Sequence, residues 1–229
     1  MYEELRRRGF ELVSDTTVAD WASRRQSGDL YRVDFQVPAG FEKYCRILHR
    51  VHGDFDTMLP WSNYAEPVGV TISAQTHWSE IARHDPRLRS TSPDVGGLDR
   101  ISGPSFIEFL TKHLPADDRV FAGYWDGIQP LHTPGKSFPT ARLGLREYVL
   151  FGVQLAALAD AFHSESGFLF DFPALLWPED RSWYLSTDVD YNSTLVGGSK
   201  EFIDALLAHE TIEALPISPD ADLTYRALQ

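Results

Sequence analysis

Between residues 183 and 217 the apolar side chains change period twice, from two to about 3.6 and back, which calls for a strand, a helix and a strand in succession. In 183–191, Trp183, Leu185, Val189 and Tyr191 project to one side, and Tyr184, Ser186, Asp188 and Asp190 to the other. That alternation predicts a strand with one buried and one wet face. Val196-Gly197-Gly198 then reads as a tight turn in which glycine supplies positive φ. Ser199 suits a helix N-cap, and Glu201 complements the positive end of the helix. Phe202, Ile203, Leu206 and Leu207 form the apolar stripe of that helix, which ends near His209, and 212–217 returns as a strand. Elements of both kinds in this order belong to a layered α+β or α/β fold.

Upstream, shorter elements follow the same logic. Residues 15–25 predict a short helix burying Val18, Trp21 and Ala22. In 43–51, Cys45, Ile47, His49 and Val51 alternate with Tyr44, Arg46, Leu48 and Arg50, as in a half-buried strand. Residues 76–83 read as a helix burying Trp78, Ile81 and Ala82, and a loop rich in Pro, Gly, Ser and Asp follows. Pro104 opens a helix with Phe106, Phe109, Leu110 and His113 along one side. Residues 120–125 are strand-like, Asp126-Gly127 supplies a turn, and 128–143 form a loop. A strand over 146–151 and a short helix over 154–162 complete the pattern. No repeat or linker interrupts it. The expectation is one α+β domain spanning residues 1–229, with a mixed or antiparallel sheet and helices packed on it.

The formal charge of −12 sets a field that repels phosphate backbones, so nucleic acid is not an expected partner. The single cysteine, Cys45, cannot close an internal disulfide, which fits a reducing compartment. The first residues carry no apolar signal-like run, and no segment approaches the roughly 20 apolar residues of a membrane span. A cytoplasmic protein is expected, in which the Asn192-Ser193-Thr194 sequon is incidental.

Several chemical patterns fail position by position. From Asp188 the D-x-D-x-N spacing starts like a calcium loop, but Ser193 and Ser199 stand where Gly and Glu are required. Starting at Asp190 puts Glu201 in place but Leu195 at the glycine position. Gly135-Lys136-Ser137 lacks the earlier glycine of a phosphate loop, and no G-x-S-x-G elbow is present. His77, Glu80 and His84 share helical spacing, yet His84 sits at the helix stop and no fourth ligand is evident. His113, His132 and His163 are isolated. Neither a metal nor a cofactor is expected.

Two groups of residues keep functional interest. Asp188 and Asp190, on one strand face with Cβ atoms roughly 7 Å apart, suit a pair of catalytic carboxylates or one wet structural face. Trp125, Asp126, Trp177, Asp180, Arg181 and Trp183 suit a protein-binding surface, where Trp and Arg are enriched, or an ion-paired corner with Arg181 against a Trp ring.

The segments VPAGFEKYCRILH (37–49), HWSEIA (77–82), GYWDG (123–127), REYVLFG (146–152) and PALLWPEDRSWYLSTDVDYNSTLVGGSKEFIDALL (173–207) together resemble a family of actinobacterial hypothetical proteins with no assigned function. The resemblance implies a single-domain bacterial protein and transfers no site residue. Acidity and abundant tryptophan also make the chain similar, at fold level, to the toxin-binding SUKH immunity proteins. The leading expectation is a non-catalytic cytosolic domain that binds another protein, in an immunity or defence setting. The alternative is a small-molecule or glycan-processing enzyme using Asp188 and Asp190.

Overall fold

Residues 120–125 and 148–153 are apolar or glycine at every position, and the fold explains this by covering both faces of one sheet. The computed structural model describes residues 1–53, 57–127, 131, 137–162 and 172–224. His132, His163 and the Gly135-Lys136 pair lie outside the described residues. Strands β1 (Glu11–Leu12), β2 (Lys43–Leu48), β3 (Val51–His52), β4 (Met58–Leu59), β5 (Arg119–Trp125) and β6 (Thr140–Leu143) come first in the chain. They are followed by β7 (Arg146–Gln154), β8 (Leu175–Pro178), β9 (Tyr184–Ser186), β10 (Ser193–Gly198) and β11 (Ala214–Ile217). The large sheet runs β1-β7-β5-β8-β9-β10-β2-β11, with β6 also on β7, and β3 and β4 form a separate hairpin. Every described pairing is antiparallel. The α+β class, with an antiparallel sheet and helices against it, is what the sequence predicts.

Alternate side chains of each strand enter different cores. Val120, Ala122 and Tyr124 of β5 join Val149, Phe151 and Val153 of β7 on one side. There they meet α1 (Tyr2–Arg7), α6 (Ser102–His113), α7 (Leu155–Phe162) and α8 (Lys200–Leu207). Phe121, Tyr148, Leu150, Leu175 and Trp177 point the other way, toward α2 (Asp20–Ser23) and α3 (Val33–Gln36). A smaller core beside β2 packs Leu48 and Trp61 against α4 (Ser62–Ala65), through Ala65, and α5 (Trp78–Ala82), through Trp78 and Ile81.

Four sequence expectations change. The 43–51 strand is not half-buried: β2 lies between β10 and β11, so Tyr44, Arg46 and Leu48 are buried along with Cys45 and Ile47. The 183–191 strand stops at Ser186, because Asp188 begins a turn closed by Tyr191 N–H donating to the Asp188 carbonyl at 3.0 Å. The 128–143 loop contains β6. Gly197 and Gly198 are not a positive-φ turn; both lie in β10, where close packing demands glycine. A Cβ on Gly197 would come within 2.5 Å of the Phe41 ring and 2.9 Å of Val37. Ser199 does cap α8, its hydroxyl accepting from Phe202 N–H at 3.2 Å.

His49, placed on the core face from sequence, is fully buried. Its Nδ1–H donates to the Asp94 carbonyl at 2.9 Å, and in the neutral ring its Nε2 accepts from Thr194 Oγ1 at 2.8 Å. Thr187 Oγ1 in turn donates to Thr194 Oγ1 at 2.5 Å. Burial lowers the His49 pKa to about 4, which keeps the imidazole neutral at pH 7 and gives Nε2 the acceptor role in this chain.

Two outcomes are expected. Gly197→Ala destabilises the fold by about 1–3 kcal/mol in urea titrations, since the Phe41 ring must move. For His49, the unfolded chain takes up a proton below pH 6.5 that the folded chain refuses until about pH 4. The stabilising effect is complete above pH 6.5 and lost as pH falls toward 4. Over that window wild type should lose about 3 kcal/mol more than His49→Gln, and parallel stability curves would refute the assignment.

Candidate functional site

The turn after β9 holds both predicted carboxylates, and three concavities surround it. Asp188 and Asp190 line a pocket of about 300 Å³. Val189 lines a second with Trp125, and Asp190 and Tyr191 line a third with Arg46. Local bonds hold the turn in place. Asp190 N–H donates to Asp188 Oδ1 at 3.0 Å, Thr187 N–H to the Ala174 carbonyl at 2.7 Å, and Gly96 N–H to the Tyr191 carbonyl at 3.1 Å.

The organising side chain of the first pocket is Arg146, at the start of β7. Its Nε donates to Asp188 Oδ2 at 2.8 Å and its Nη2 to Asp188 Oδ1 at 2.7 Å, a bidentate fork. The same Nη2 reaches Asp190 Oδ2 at 2.7 Å. The guanidinium also lies 5.1 Å from the centroid of the Trp125 ring, a cation–π distance. The hydrogen bonds that Arg146 donates to Asp188 are the main reason its pKa is raised above its ordinary value. Burial, with the Asp188 charge nearby, raises that of the neighbouring Tyr148.

A short hairpin positions this cation. Leu143 pairs with Arg146 across the loop Gly144-Leu145. Gly144 adopts φ 60° at the first loop position, which favours glycine. Gln26 Oε1 accepts from its N–H at 3.0 Å. The loop leaves Leu145 65% exposed, beside Leu30 at 39% and Tyr31 at 51% on the rim of the same pocket. These three are among the few large apolar side chains exposed among the described residues.

The predicted binding residues do not form one surface. Trp177 and Trp183 are core residues on opposite faces of the sheet. Trp177 stacks between Phe121 and Tyr184, each 5.5 Å away, and Trp183 stacks on Phe202 at 5.7 Å. Large rings in a twice-covered sheet go inward, which removes both from any docking role. Asp180 and Arg181 are exposed in the β8–β9 turn. There Asp180 accepts from Ser182 N–H at 2.9 Å, and Arg181, with φ 62°, lies over Trp21 at 5.5 Å rather than over Trp177 or Trp183. Trp125 and Asp126 are half-buried at the end of β5, and only Trp125 touches the Arg146 cluster.

Asp188 and Asp190 do come together, but on a turn rather than a strand face, and with an arginine between them. Sequence reasoning missed Arg146, Leu30, Tyr31 and Leu145. Arg146 lies 42 residues before Asp188, and nothing local marks the pairing. His77 and His84 fall at opposite ends of α5, with Glu80 capping the His77 N–H at 2.7 Å. Among the described residues, no three His, Cys, Asp or Glu side chains group as metal ligands. None of the described helices is long and apolar enough to cross a membrane.

Replacing Asp188 by Asn should destabilise the fold by about 1–3 kcal/mol, because it strips a partly buried arginine of its fork. Asp190→Asn should cost under about 1 kcal/mol, since that carboxylate is 78% exposed. A double-mutant cycle with Arg146→Gln separates the couplings, and equal values for both aspartates would contradict this geometry.

No family model matches the chain, and neither the curated proteins nor the solved structures provide a match.

Proposed function

We propose that this chain is a cytosolic bacterial recognition domain, without catalytic activity, that binds a protein partner across the face around Leu30, Tyr31 and Leu145. The observation that carries the reading is the exposure of these three apolar side chains around a pocket whose charges are already paired. Exposed apolar groups gathered in one place, with polar groups around them, are the composition of an interface centre. Arg146 engages both carboxylates, so neither is a free proton carrier or nucleophile. The −12 charge favours encounter with a basic partner and opposes nucleic acid. An immunity or defence setting rests on the likeness to acidic, tryptophan-rich toxin-binding proteins and on the resemblance to actinobacterial sequences.

The enzyme reading keeps one supporting observation: Asp188 and Asp190 line a concave pocket with a third polar group in reach. Turnover of a glycoside or small ester that Asp190→Asn abolishes without loss of fold would favour it.

The recognition reading is tested with the partner captured from the host and then purified. Leu145→Asp and Tyr31→Ala should each weaken its binding at least tenfold in calorimetric titration, about 1.4 kcal/mol. Leu59→Asp, an exposed apolar position on β4 outside the pocket, should leave affinity unchanged. Equal affinity of wild type and Leu145→Asp would remove this face as the interface.

A further inference from the structure

Arg46 is a buried cation whose hydrogen bonds all go to neutral acceptors. Only 3% of it is exposed, in the middle of β2. Its Nε donates to Ser193 Oγ at 2.8 Å, and its Nη1 donates to the carbonyls of Ala74 at 2.8 Å and Thr76 at 3.0 Å. Trp61 lies 5.8 Å from the guanidinium. All these partners are neutral. Among the described residues Glu80 favours the Arg46 charge without forming an ion pair with it, and Arg46 Nη2 makes no hydrogen bond. Removing a guanidinium from water costs several kcal/mol, which neutral acceptors offset only in part. An anion supplied from outside would complete the compensation.

Room for one exists. Arg46 lines a concavity of about 230 Å³ together with His77, Asn192 and Thr224, and with the apolar surfaces of Tyr31, Tyr191 and Leu223. We propose that this concavity is a binding site for a small organic carboxylate, whose oxygen accepts from Arg46 Nη2 while its carbon skeleton packs on Tyr31, Tyr191 and Leu223. The donor supply sets the class. Nε and both hydrogens of Nη1 are committed, so one nitrogen faces the ligand, enough for a monoanion. Burial and the Arg46 charge lower the His77 pKa, so that ring adds no second cation at neutral pH. Asp190, on the same pocket, disfavours a dianion such as phosphate. Arg46 itself, lowered by burial to about 10, keeps its charge at pH 7.

The concavity shares Tyr31 with the recognition face, so the test separates the two through residues that each has alone, Leu145 and Thr224. Titration of the full chain with benzoate at pH 7.5 should saturate with a Kd of about 1 mM or tighter. Benzamide, the neutral isostere, and inorganic phosphate should each bind at least tenfold more weakly. Arg46→Lys should lose at least tenfold in benzoate affinity. Thr224→Trp, which fills the concavity and leaves the Arg46 hydrogen bonds intact, should do the same if the lysine variant does not fold. A short peptide that displaces benzoate only with a free C-terminal carboxylate would place the natural ligand on a chain terminus; no displacement would place it on a free small molecule. Leu145→Asp should leave benzoate affinity unchanged, so the two readings fail separately. Absence of saturation, equal binding of benzamide, tighter binding of phosphate, or unaltered affinity in Thr224→Trp would overturn the proposal.

Discussion

Burial of the antiparallel sheet on both faces is the constraint on which the rest of the molecule depends. Alternation along β5 and β7 sends Tyr124 and Phe151 into one core and Phe121 and Leu150 into the other. Each such ring or branched side chain contributes roughly 1.5–3 kcal/mol when it leaves water. The strands satisfy one another's backbone groups in an unbroken antiparallel order, so the dry interior holds few unpaired polar groups. A sheet covered in this way has no face left for a ligand. Recognition chemistry is displaced to the turns, and here it gathers around Asp188–Tyr191, the Gly144-Leu145 loop and the segment near Tyr31.

Two arginines define what those turns can do, and they differ in how their charge is met. Arg146 is answered by Asp188 and Asp190. Without it, two carboxylates two residues apart would repel; with it they become a fixed, paired floor under an apolar rim. Arg46 donates only to neutral oxygens and lies near the Trp61 ring, with Glu80 acting on it without an ion pair, at the edge of a small concavity. One pocket thus has its cation fully engaged by two carboxylates beneath an apolar rim, whereas the other offers a cation with a free donor and suits an anion.

Particular residues show how far the fold and the site were legible in the chain. The helix over 200–207 announces itself through Ser199 and the stripe of Phe202, Ile203 and Leu206, because capping and periodicity are local. The Trp78-Ile81-Ala82 face and the strands over 120–125 and 146–151 are legible for the same reason. The burial of Arg46 is not legible in a strand that reads as half-buried, since alternation gives the side to which a residue points and not what covers that side. Nearness in sequence suggests one surface for Trp177 and Trp183, but the β8–β9 turn between them sends them into opposite cores. Asp188 and Asp190 were recognised as a pair, yet their partner Arg146 was not, because ion pairing across a fold leaves no local trace.

By itself, then, the sequence determined the fold class, most helices and strands, and the acidic field around the molecule, all of which arise from interactions between near neighbours or from total charge. Tertiary structure alone decided that the sheet is covered twice, that one arginine engages both carboxylates, and that Leu30, Tyr31 and Leu145 meet at one rim. Those outcomes depend on contacts between segments distant in sequence, and such contacts exist only once the hydrophobic cores have fixed the order of the strands.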